Sequence, residues 1–350
     1  MSAKTYRQAL AEAMQEGLEN NPSAIIIGQG ATDFKGIFGT VSGLAEKFPA
    51  RVVETPIAED SVAGICIGAS LNGLYPINTH IRADFGLLAF NQIINLAAKY
   101  RYMFGGLFEL PMLFRFVIGR SWGQGAQHSQ SLQSLLAHIP GLAVVMPSSP
   151  STILSTYRHA IQKYRSPVIS LEHRLMYELS FEEEAPAEIN VSGSRIIKQG
   201  KDITIVATSV MVLEAKRAAV HLEEQGISAE IIDLHSISHP DSDLIFRSVQ
   251  KTGKLLIADT SWQAYGVAAE INRIINERDP SILKAPSISL GMKPAPCPTA
   301  KHLEDHFYPD VHDIVTSAGK LVQKTKNRAD FSAPPKQSMT DYYKHFKGPF

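Results

Sequence analysis

Three segments of the sequence place polar side chains where chemistry is expected, and the first is Glu-Thr-Pro-Ile-Ala-Glu at residues 54–59. A proline directly after a short apolar strand predicts the start of a helix. Glu59 then falls in the first turn of a helix rich in small residues, where a carboxylate faces the positive end of the helix dipole and is tolerated when half-buried. The same pattern also fits an exposed acid that only stabilises the helix start, so both interpretations stay open from the residues alone.

The second segment is His-Ile-Arg-Ala-Asp-Phe at residues 80–85, at the end of a predicted strand and the start of a predicted helix. Ligands of open α/β sheets bind at the carboxyl ends of the strands. His80 and Arg82 are therefore candidates for binding an anionic substrate such as a carboxylate or a sugar phosphate. They equally fit a local structural pair with Asp84, and Phe85 fits either a stacking aromatic or a core residue.

The third segment is Gly-Gln-Gly-Ala-Gln-His-Ser-Gln-Ser at residues 123–131, which follows an apolar strand predicted at 111–118. A glycine-rich loop with this many hydrogen-bonding side chains is typical of a loop that contacts a ligand. His128 is its candidate functional side chain, and the alternative is an ordinary solvated loop histidine.

Several common enzyme classes are disfavoured because their motifs are missing. The sequence has no Walker A motif, no G-x-S-x-G elbow and no H-E-x-x-H, and the Gly28-Gln29-Gly30 turn continues with Ala31 and Thr32, which breaks the dinucleotide fingerprint. None of the twelve histidines forms a pair at metal-ligand spacing beside a carboxylate. The residues therefore argue against a conventional dehydrogenase, kinase, hydrolase or zinc enzyme.

Length and charge restrict the class of protein further. A chain of 350 residues predicts two domains or one large domain. With 34 basic and 34 acidic residues the net charge is zero, which argues against a general nucleic-acid binder or a membrane-surface protein. The two cysteines, Cys66 and Cys297, are too few for a disulfide framework or a four-thiolate zinc site. No signal-peptide pattern or run of about 20 apolar residues is present, so we expect a soluble cytoplasmic protein.

The first half of the chain alternates strand and helix patterns, which predicts a mostly parallel sheet covered by helices on both faces. The strands are predicted at residues 24–27, 51–54, 76–81, 111–118, 142–146 and 168–171. The helices are predicted at residues 5–19, 57–73, 85–102 and 150–164.

The acidic, proline-containing stretch 180–191 interrupts this alternation and predicts a domain boundary. We therefore expect one domain at 1–185, a second, smaller doubly wound domain at 192–325, and a polar tail with aromatic residues at 326–350. The second domain is predicted to have strands at 203–207, 230–234, 255–258 and 288–290 and helices at 211–225, 240–251 and 264–277. The tail fits either a loose terminus or an arm that docks its aromatic side chains on a partner subunit.

An ordered set of segments between about residues 3 and 325 resembles a known family. These segments are ETPIAE at 54–59, FNQIINLAAKYRYMFGG at 90–106, AQHSQS at 126–131, HIPGLAVVMPSSP at 138–150, SPVISLEHRLMY at 166–177 and YGVAAEI at 265–271. Together they resemble the β subunit of the thiamine-diphosphate-dependent E1 component of 2-oxo acid dehydrogenases, the pyruvate, branched-chain and acetoin enzymes. The resemblance implies a pyrimidine-binding domain followed by a transketolase C-terminal-like domain.

The resemblance also implies roles for individual residues. Glu59 takes the place of the family glutamate that contacts the ring nitrogen N1′ of the cofactor's aminopyrimidine and so promotes loss of the C2 proton of the thiazolium. Ile57, Phe85 and Gln92 fall at cofactor-binding positions, with Phe85 as the ring-stacking aromatic. His128 falls near the bound substrate, where it would donate protons or stabilise charge as the acyl group forms and leaves.

A missing motif implies a partner. Members of the family hold the diphosphate and Mg²⁺ with a G-D-G motif, and this sequence contains no G-D-G. The resemblance therefore implies an α subunit that supplies the metal and diphosphate side, a cofactor between the subunits, and an α₂β₂ heterotetramer. No metal ligand is assigned to this chain. Several members of the family hold a potassium ion in a loop that matches residues near 160–166; Lys163 and Arg165 in this stretch argue against such a site here, and a structural potassium ion stays open.

Three functions follow from these observations. The first is an E1 β subunit, which takes part in decarboxylation of a 2-oxo acid and acyl transfer to the lipoyl domain of an E2 partner. The second is a two-chain transketolase-like or acyloin-forming enzyme that moves a two-carbon ketol unit between sugars or aldehydes, which the polar segment 80–84 favours. The third is a non-catalytic scaffold, which the presence of Glu59, Phe85 and His128 argues against.

Overall fold

The structure is a computed structural model that describes residues 3–33, 35–119, 123–182, 187–326 and 331–337, with the side chains of 323–326 left aside. The described residues form two compact units, each assembled from more than one stretch of the chain. The first unit consists of the described residues up to 119, of 135–192 and of 236–239. The second unit consists of residues 123–134, of 193–235 and of the described residues from 240 onward.

The first unit is built on a parallel sheet. The strands of the first half are β1 (Lys4–Thr5), β2 (Ala24–Gly28), β3 (Val52–Glu54), β4 (Tyr75–His80), β5 (Met112–Ile118), β6 (Ala143–Val145), β7 (Pro167–His173) and β8 (Ser180–Phe181). Six of them pair in the order β3-β2-β4-β5-β7-β6, all parallel, while β1 pairs with β8 antiparallel. Every residue of β4, β5 and β7 is buried, so both faces of the sheet are covered.

Helices connect these strands. They are α1 (Tyr6–Asn20), α2 (Gly36–Gly39), α3 (Leu44–Lys47), α4 (Glu59–Leu71), α5 (Ala83–Gly86), α6 (Tyr100–Met103), α7 (Gln133–Ala137) and α8 (Pro150–Gln162). The starts of α1 and α8 are fixed by capping boxes, at Thr5 with Gln8 and at Ser149 with Thr152. In each box the cap side chain and the third helical residue satisfy each other's backbone N–H groups, which explains why the helices begin there.

The single helix predicted at 85–102 is wrong in detail. After α5 the chain continues as a 3₁₀ turn at Leu87–Ala89, a π-helix at Asn91–Ala97 and then α6. Spacing of apolar residues does not distinguish these turns, because helical turns of slightly different pitch still present one apolar face. π-Helical turns are frequent near functional sites, and this one carries Gln92.

A charged pair lies in the centre of the first unit. Arg115 on β5 and Glu172 on β7 are both fully buried and bind each other in a bidentate arrangement, Nε to Oε1 at 2.7 Å and Nη2 to Oε2 at 2.8 Å. The hydroxyls of Tyr157 and Tyr177 also donate to Glu172, and Thr40 accepts from Arg115. Burial and the nearby carboxylate raise the pKa of both tyrosines, which keeps them protonated as donors.

The second unit has a smaller sheet. Its strands are β9 (Arg195–Lys198), β10 (Ile203–Ala207), β11 (Ala229–Asp233), β12 (Leu255–Trp262) and β13 (Ile288–Met292), in the order β13-β12-β10-β11-β9. Only β9, a strand that the sequence did not predict, runs antiparallel to its neighbour. The helices are α9 (Val210–Glu224), α10 (Ser242–Thr252), α11 (Val267–Arg278), α12 (Lys301–Glu304) and α13 (Val311–Lys326), with a 3₁₀ turn at Pro280–Ile282; another 3₁₀ turn, Arg174–Met176, follows β7 in the first unit. The expected fold class, two doubly wound α/β domains, is confirmed.

The described part of the predicted tail packs on the second unit itself. The ring of Phe331 lies against Gly319 of α13, so close that a Cβ on that glycine would be 2.3 Å from the ring. Lys336 binds Asp313 at 2.6 Å, and the carbonyl of Pro334 contacts His312. Residues 338–350, for which docking on a partner was an alternative, lie outside the described residues. None of the helices in the described part of the chain combines the length and the apolar character that a membrane span requires.

Candidate active site

The candidate site lies at the carboxyl ends of β2, β3 and β4. The chain passes from β2 outward to β3 and then returns to β4 on the other side of β2, so the order of strands reverses here. Such a reversal opens a crevice in which α/β proteins bind ligands. A small open cleft of about 20 Å³ lies at this point, lined by Gly28, Gln29, residues 55–59, Val62 and residues 78–81.

Glu59 lies in the first turn of α4, as the sequence predicted, although the helix begins at Glu59 rather than at 57, and its side chain is half-buried on the wall of the cleft. Below it Val62 packs with Ile27 and Cys66 in an apolar cluster, which fixes the first turn of the helix. The next acid, Asp60, accepts a hydrogen bond of 3.1 Å from Gln92 in the π-helix. Gln92 therefore contacts the first turn of α4 directly, and Glu59 is the acid left facing the cleft.

The loop before Glu59 is held by Glu54, a residue to which we assigned no role from sequence. Its carboxylate accepts hydrogen bonds from the backbone N–H of Gly30 at 2.6 Å and of Thr32 at 2.9 Å. These bonds tie the turn after β2 to the end of β3. Because a carboxylate paired with backbone N–H groups makes strong, directional bonds, Glu54 sets the shape of one wall of the cleft. A glutamate at the end of a strand was the only signal available in the sequence.

His80 forms the floor of the cleft at the end of β4. It is 4% exposed, and its ring stacks on Phe116 with centroids 4.6 Å apart and planes inclined by 14°. Its Nε2 has no hydrogen-bond partner among the described residues. Burial lowers the pKa of His80 to about 4, because the charged imidazolium is poorly solvated there. His80 is therefore neutral at physiological pH.

The lining of the cleft offers polar atoms of the kind that the hydrogen-bonding edge of an aminopyrimidine would pair with. Asn78 Oδ1 and Thr79 Oγ1 are, like His80 Nε2, buried polar atoms with no partner among the described residues. Gly28 lies opposite them, and a Cβ on it would sit 3.2 Å from the carbonyl of Thr79. Buried polar atoms left without partners cost free energy unless a ligand or water satisfies them. The donor and acceptor set thus agrees with the cofactor that the sequence resemblance implies.

The remaining candidates of the first unit differ in exposure. Phe85 on α5 is 41% exposed and Ile57 is 72% exposed, so neither is a core residue. Ile57 lines the cleft, and Phe85 lies on the short helix that follows the cleft segment 78–81. Arg82 precedes α5 and is only 4% exposed, with Nη1 donating to the carbonyl of Gly119 at 3.3 Å. A direct role of Arg82 in substrate binding stays a prediction.

His128 lies in the loop 123–134, which belongs to the second unit. Its side chain is half-buried, and Ser129 beside it is buried. The structure brings Glu59, Ile57 and His80 together on one cleft, and it describes His128 with the other unit. Among the described residues, no three His, Cys, Asp or Glu side chains come together as metal ligands.

Family comparisons agree with this two-unit arrangement. Residues 2–179 match the family described as transketolase, pyrimidine binding domain. Residues 193–314 match the family described as transketolase, C-terminal domain. The cleft with Glu59 and His80 lies entirely in the first matched region.

Named relatives share most of the chain. The β subunit of acetoin:2,6-dichlorophenolindophenol oxidoreductase from Cupriavidus necator is 36% identical, covering 92% of this chain and 98% of the relative. The mitochondrial pyruvate dehydrogenase E1 component subunit beta from Bos taurus is 37% identical, covering 91% of this chain and 90% of the relative. A solved structure titled split gene transketolase, inactive beta4 tetramer, superimposes with a TM-score of 0.76 at 23% identity, covering 92% of this chain and 99% of that one.

Proposed function

This chain belongs to the transketolase family of thiamine-diphosphate-dependent enzymes, and we propose that it is the β subunit of a 2-oxo acid dehydrogenase E1. In this proposal the enzyme decarboxylates a 2-oxo acid and transfers the acyl group to a lipoyl domain. The observation that carries the proposal is the cleft at the reversal between β2 and β4, which Glu59 lines together with Asn78, Thr79 and His80, each with a buried polar atom that has no partner among the described residues.

Bound thiamine diphosphate would supply an electron sink for cleavage of the bond between the carboxylate and the carbonyl carbon. The chain's own residues would bind and orient the pyrimidine end. Glu59 would share a proton with a ring nitrogen, a role that suits a carboxylate held half-buried at a helix start. Asn78 and His80 would satisfy the ring's hydrogen-bonding edge, and Phe85 would stack on its face.

The rest of the active site is assigned to a partner. The relatives are named as β subunits, which supports a heteromeric complex with an α subunit. We propose that this α subunit holds the diphosphate and Mg²⁺, that the assembly is an α₂β₂ heterotetramer, and that an E2 protein accepts the acyl group. Large exposed apolar side chains of the first unit, Ile57 on the cleft and Ile65 and Leu88 elsewhere, are in keeping with coverage by another chain. A cytoplasmic location is part of the proposal, although the bovine relative is named as mitochondrial.

The experiment that tests Glu59 compares two acids in one helix turn. Glu59→Gln and Asp60→Asn each remove one negative charge from the first turn of α4, but only Glu59 lines the cleft. We expect Glu59→Gln to lose at least about 100-fold in kcat in the reconstituted complex, as for loss of an acid–base group. Asp60→Asn keeps the oxygen that accepts the hydrogen bond from Gln92, so its kcat should stay within about twofold of that of the unsubstituted complex. Near-normal turnover of Glu59→Gln would show that this residue only stabilises the helix start.

A second function is favoured by one observation, the polar residues His80 and Arg82 at the end of β4. His80 lines the cleft, and Arg82 follows two residues later with a buried guanidinium. These side chains suit a sugar or sugar phosphate, so the alternative is a two-chain transketolase-like or acyloin-forming enzyme that transfers a two-carbon ketol unit. The complex should therefore be assayed with 2-oxo acids and an artificial electron acceptor, and with ketose phosphates and an aldose acceptor. Ketol transfer without decarboxylation would replace the E1 assignment.

A further inference from the structure

A buried polar network fastens one end of the loop 123–134 to strand β12. Gln133 is fully buried, and its Nε2 donates to Asp259 Oδ1 at 2.7 Å and to Thr260 Oγ1 at 3.2 Å. Its Oε1 accepts from Ser131 Oγ at 2.7 Å, and Ser131 also contacts Thr260 Oγ1 at 3.0 Å. Both ends of the Gln133 amide are thus occupied, which leaves this side chain one orientation.

Asp259 is the centre of the network. Besides Gln133, its carboxylate accepts from Thr208 Oγ1 at 2.6 Å, from the N–H of Thr260 at 2.8 Å and from Ser261 Oγ at 2.6 Å. All four donors are neutral groups, so among the described residues the buried carboxyl of Asp259 is stabilised by hydrogen bonds from uncharged partners. A buried carboxylate is costly unless its acceptor sites are filled, and one of the four donors comes from the loop.

The other end of the loop is fastened separately. The N–H of Gly123 donates to Glu304 Oε2 at 3.3 Å. Gly125 has a φ of +68° and packs so closely on Thr299 that a Cβ would lie 2.5 Å from its hydroxyl oxygen. His128 therefore sits between two anchors, with Gly125 three residues before it and Ser131 three residues after it. Gly123 and Gly125 both have positive φ, which glycine adopts readily, so the path of the loop depends on its tertiary contacts.

We propose that Gln133 and Asp259 are positioning residues that fix the loop 123–134 and thereby orient His128 for its step in the reaction. The inference about His128's step rests on the proposed function, whereas the fixing of the loop does not. Both residues would act on His128 through the loop that Gln133 fastens to β12. The connection spans 126 residues of sequence and joins the loop to the carboxyl end of the second sheet.

The first arm of the test measures the loop itself. Gln133→Met keeps the length of the side chain and removes its polar atoms, while Ser248→Ala is a matched control that breaks another buried hydroxyl network of the same unit, with Thr204 and Glu230. Hydrogen exchange of the full chain is then followed for peptides from 123–134. We expect exchange there to quicken by about tenfold or more in Gln133→Met, the size expected for loss of a hydrogen bond to a charged group, and to stay unchanged in Ser248→Ala.

The second arm is a double-mutant cycle in the complex with the α partner, thiamine diphosphate and Mg²⁺. If Gln133 acts through His128, Gln133→Met should lower kcat with little change in KM, and it should have no further effect when His128 is already alanine. Additive losses in the cycle, or loop exchange equal to that of the control, would overturn the positioning role. If His128→Ala alone leaves turnover unchanged, the proposed role of His128 fails, and the exchange arm still decides whether Gln133 and Asp259 fix the loop.

Discussion

The buried imidazole of His80 makes the stability of this protein depend on pH in a way that one substitution isolates. In the folded chain burial lowers the pKa of His80 to about 4, whereas an unfolded histidine has a pKa of about 6.5. Below pH 6.5 the unfolded chain binds a proton that the folded chain does not accept. The neutral imidazole therefore takes nothing from the free energy of unfolding above about pH 6.5. As the pH drops from 6.5 towards about 4, proton uptake by the unfolded chain lowers that free energy.

The magnitude follows from the difference between the two pKa values. A difference of about 2.5 units corresponds to roughly 3 kcal/mol over the whole window. Between pH 7 and pH 5 the linkage relation gives a loss of about 2 kcal/mol in the free energy of unfolding. His80→Phe retains a planar ring against Phe116 and removes the titration. Any cost of repacking the ring is the same at every pH. The pH dependence of the difference in unfolding free energy between His80→Phe and the unsubstituted chain therefore measures the titration of His80 alone.

The assay is urea unfolding of the full chain at pH 5, 6 and 7, without cofactor and at one protein concentration, because ligands and association also shift stability. His138→Asn is the matched control, since His138 is an exposed histidine of the same unit. We expect the difference between His80→Phe and the unsubstituted chain to move by about 2 kcal/mol in favour of the variant from pH 7 to pH 5. The control should show no such trend. Parallel stability curves for His80→Phe and the unsubstituted chain would refute the neutral, buried imidazole.

Three further substitutions test features of the packing. Arg115→Met leaves Glu172 as an uncompensated buried charge and should cost about 3–5 kcal/mol in urea unfolding; a cost below about 1 kcal/mol would contradict the charged pair. Gly319→Ala places a Cβ 2.3 Å from the ring of Phe331 and should release residues 331–337, seen as faster limited proteolysis there with the unfolding midpoint of the unit almost unchanged. Gly141 has a φ of +101° and a backbone carbonyl oxygen 2.0 Å from where a Cβ would sit. Gly141→Ala should therefore destabilise by about 3 kcal/mol or more, and a normal melting temperature would be the contrary result.

The sequence predicted the sheet-forming segments well because buried parallel strands read as short apolar runs. Strand β5, wholly buried, is the clearest example. Glu59 was also placed correctly at a helix start, since a proline and a change of pattern precede it. The 85–102 helix failed in detail, because local spacing does not report the pitch of a turn. Helix α13 was not predicted at all.

What the sequence could not provide are contacts between distant residues. Gln133 and Asp259 are each unremarkable in their own segments, and only folding brings them to 2.7 Å. The burial of His80 is of the same kind, because a histidine at a strand end is normally read as accessible, and its enclosure depends on Phe116 of the neighbouring strand. Local pattern thus predicts elements, whereas the environment of a polar side chain is set by tertiary packing.

Strand β6 lies at the edge of the first sheet, and its cover comes from much later in the chain. Ile237 donates its N–H to the carbonyl of Val144 at 2.8 Å, and Ser238 Oγ accepts from the N–H of Val144 at 2.8 Å. An uncovered strand edge invites pairing with other chains. During synthesis the first sheet therefore emerges from the ribosome with an open edge until about residue 239 is available. A fragment ending near residue 190 should aggregate at that edge, and appending residues 236–239 by a flexible linker should restore a soluble first unit.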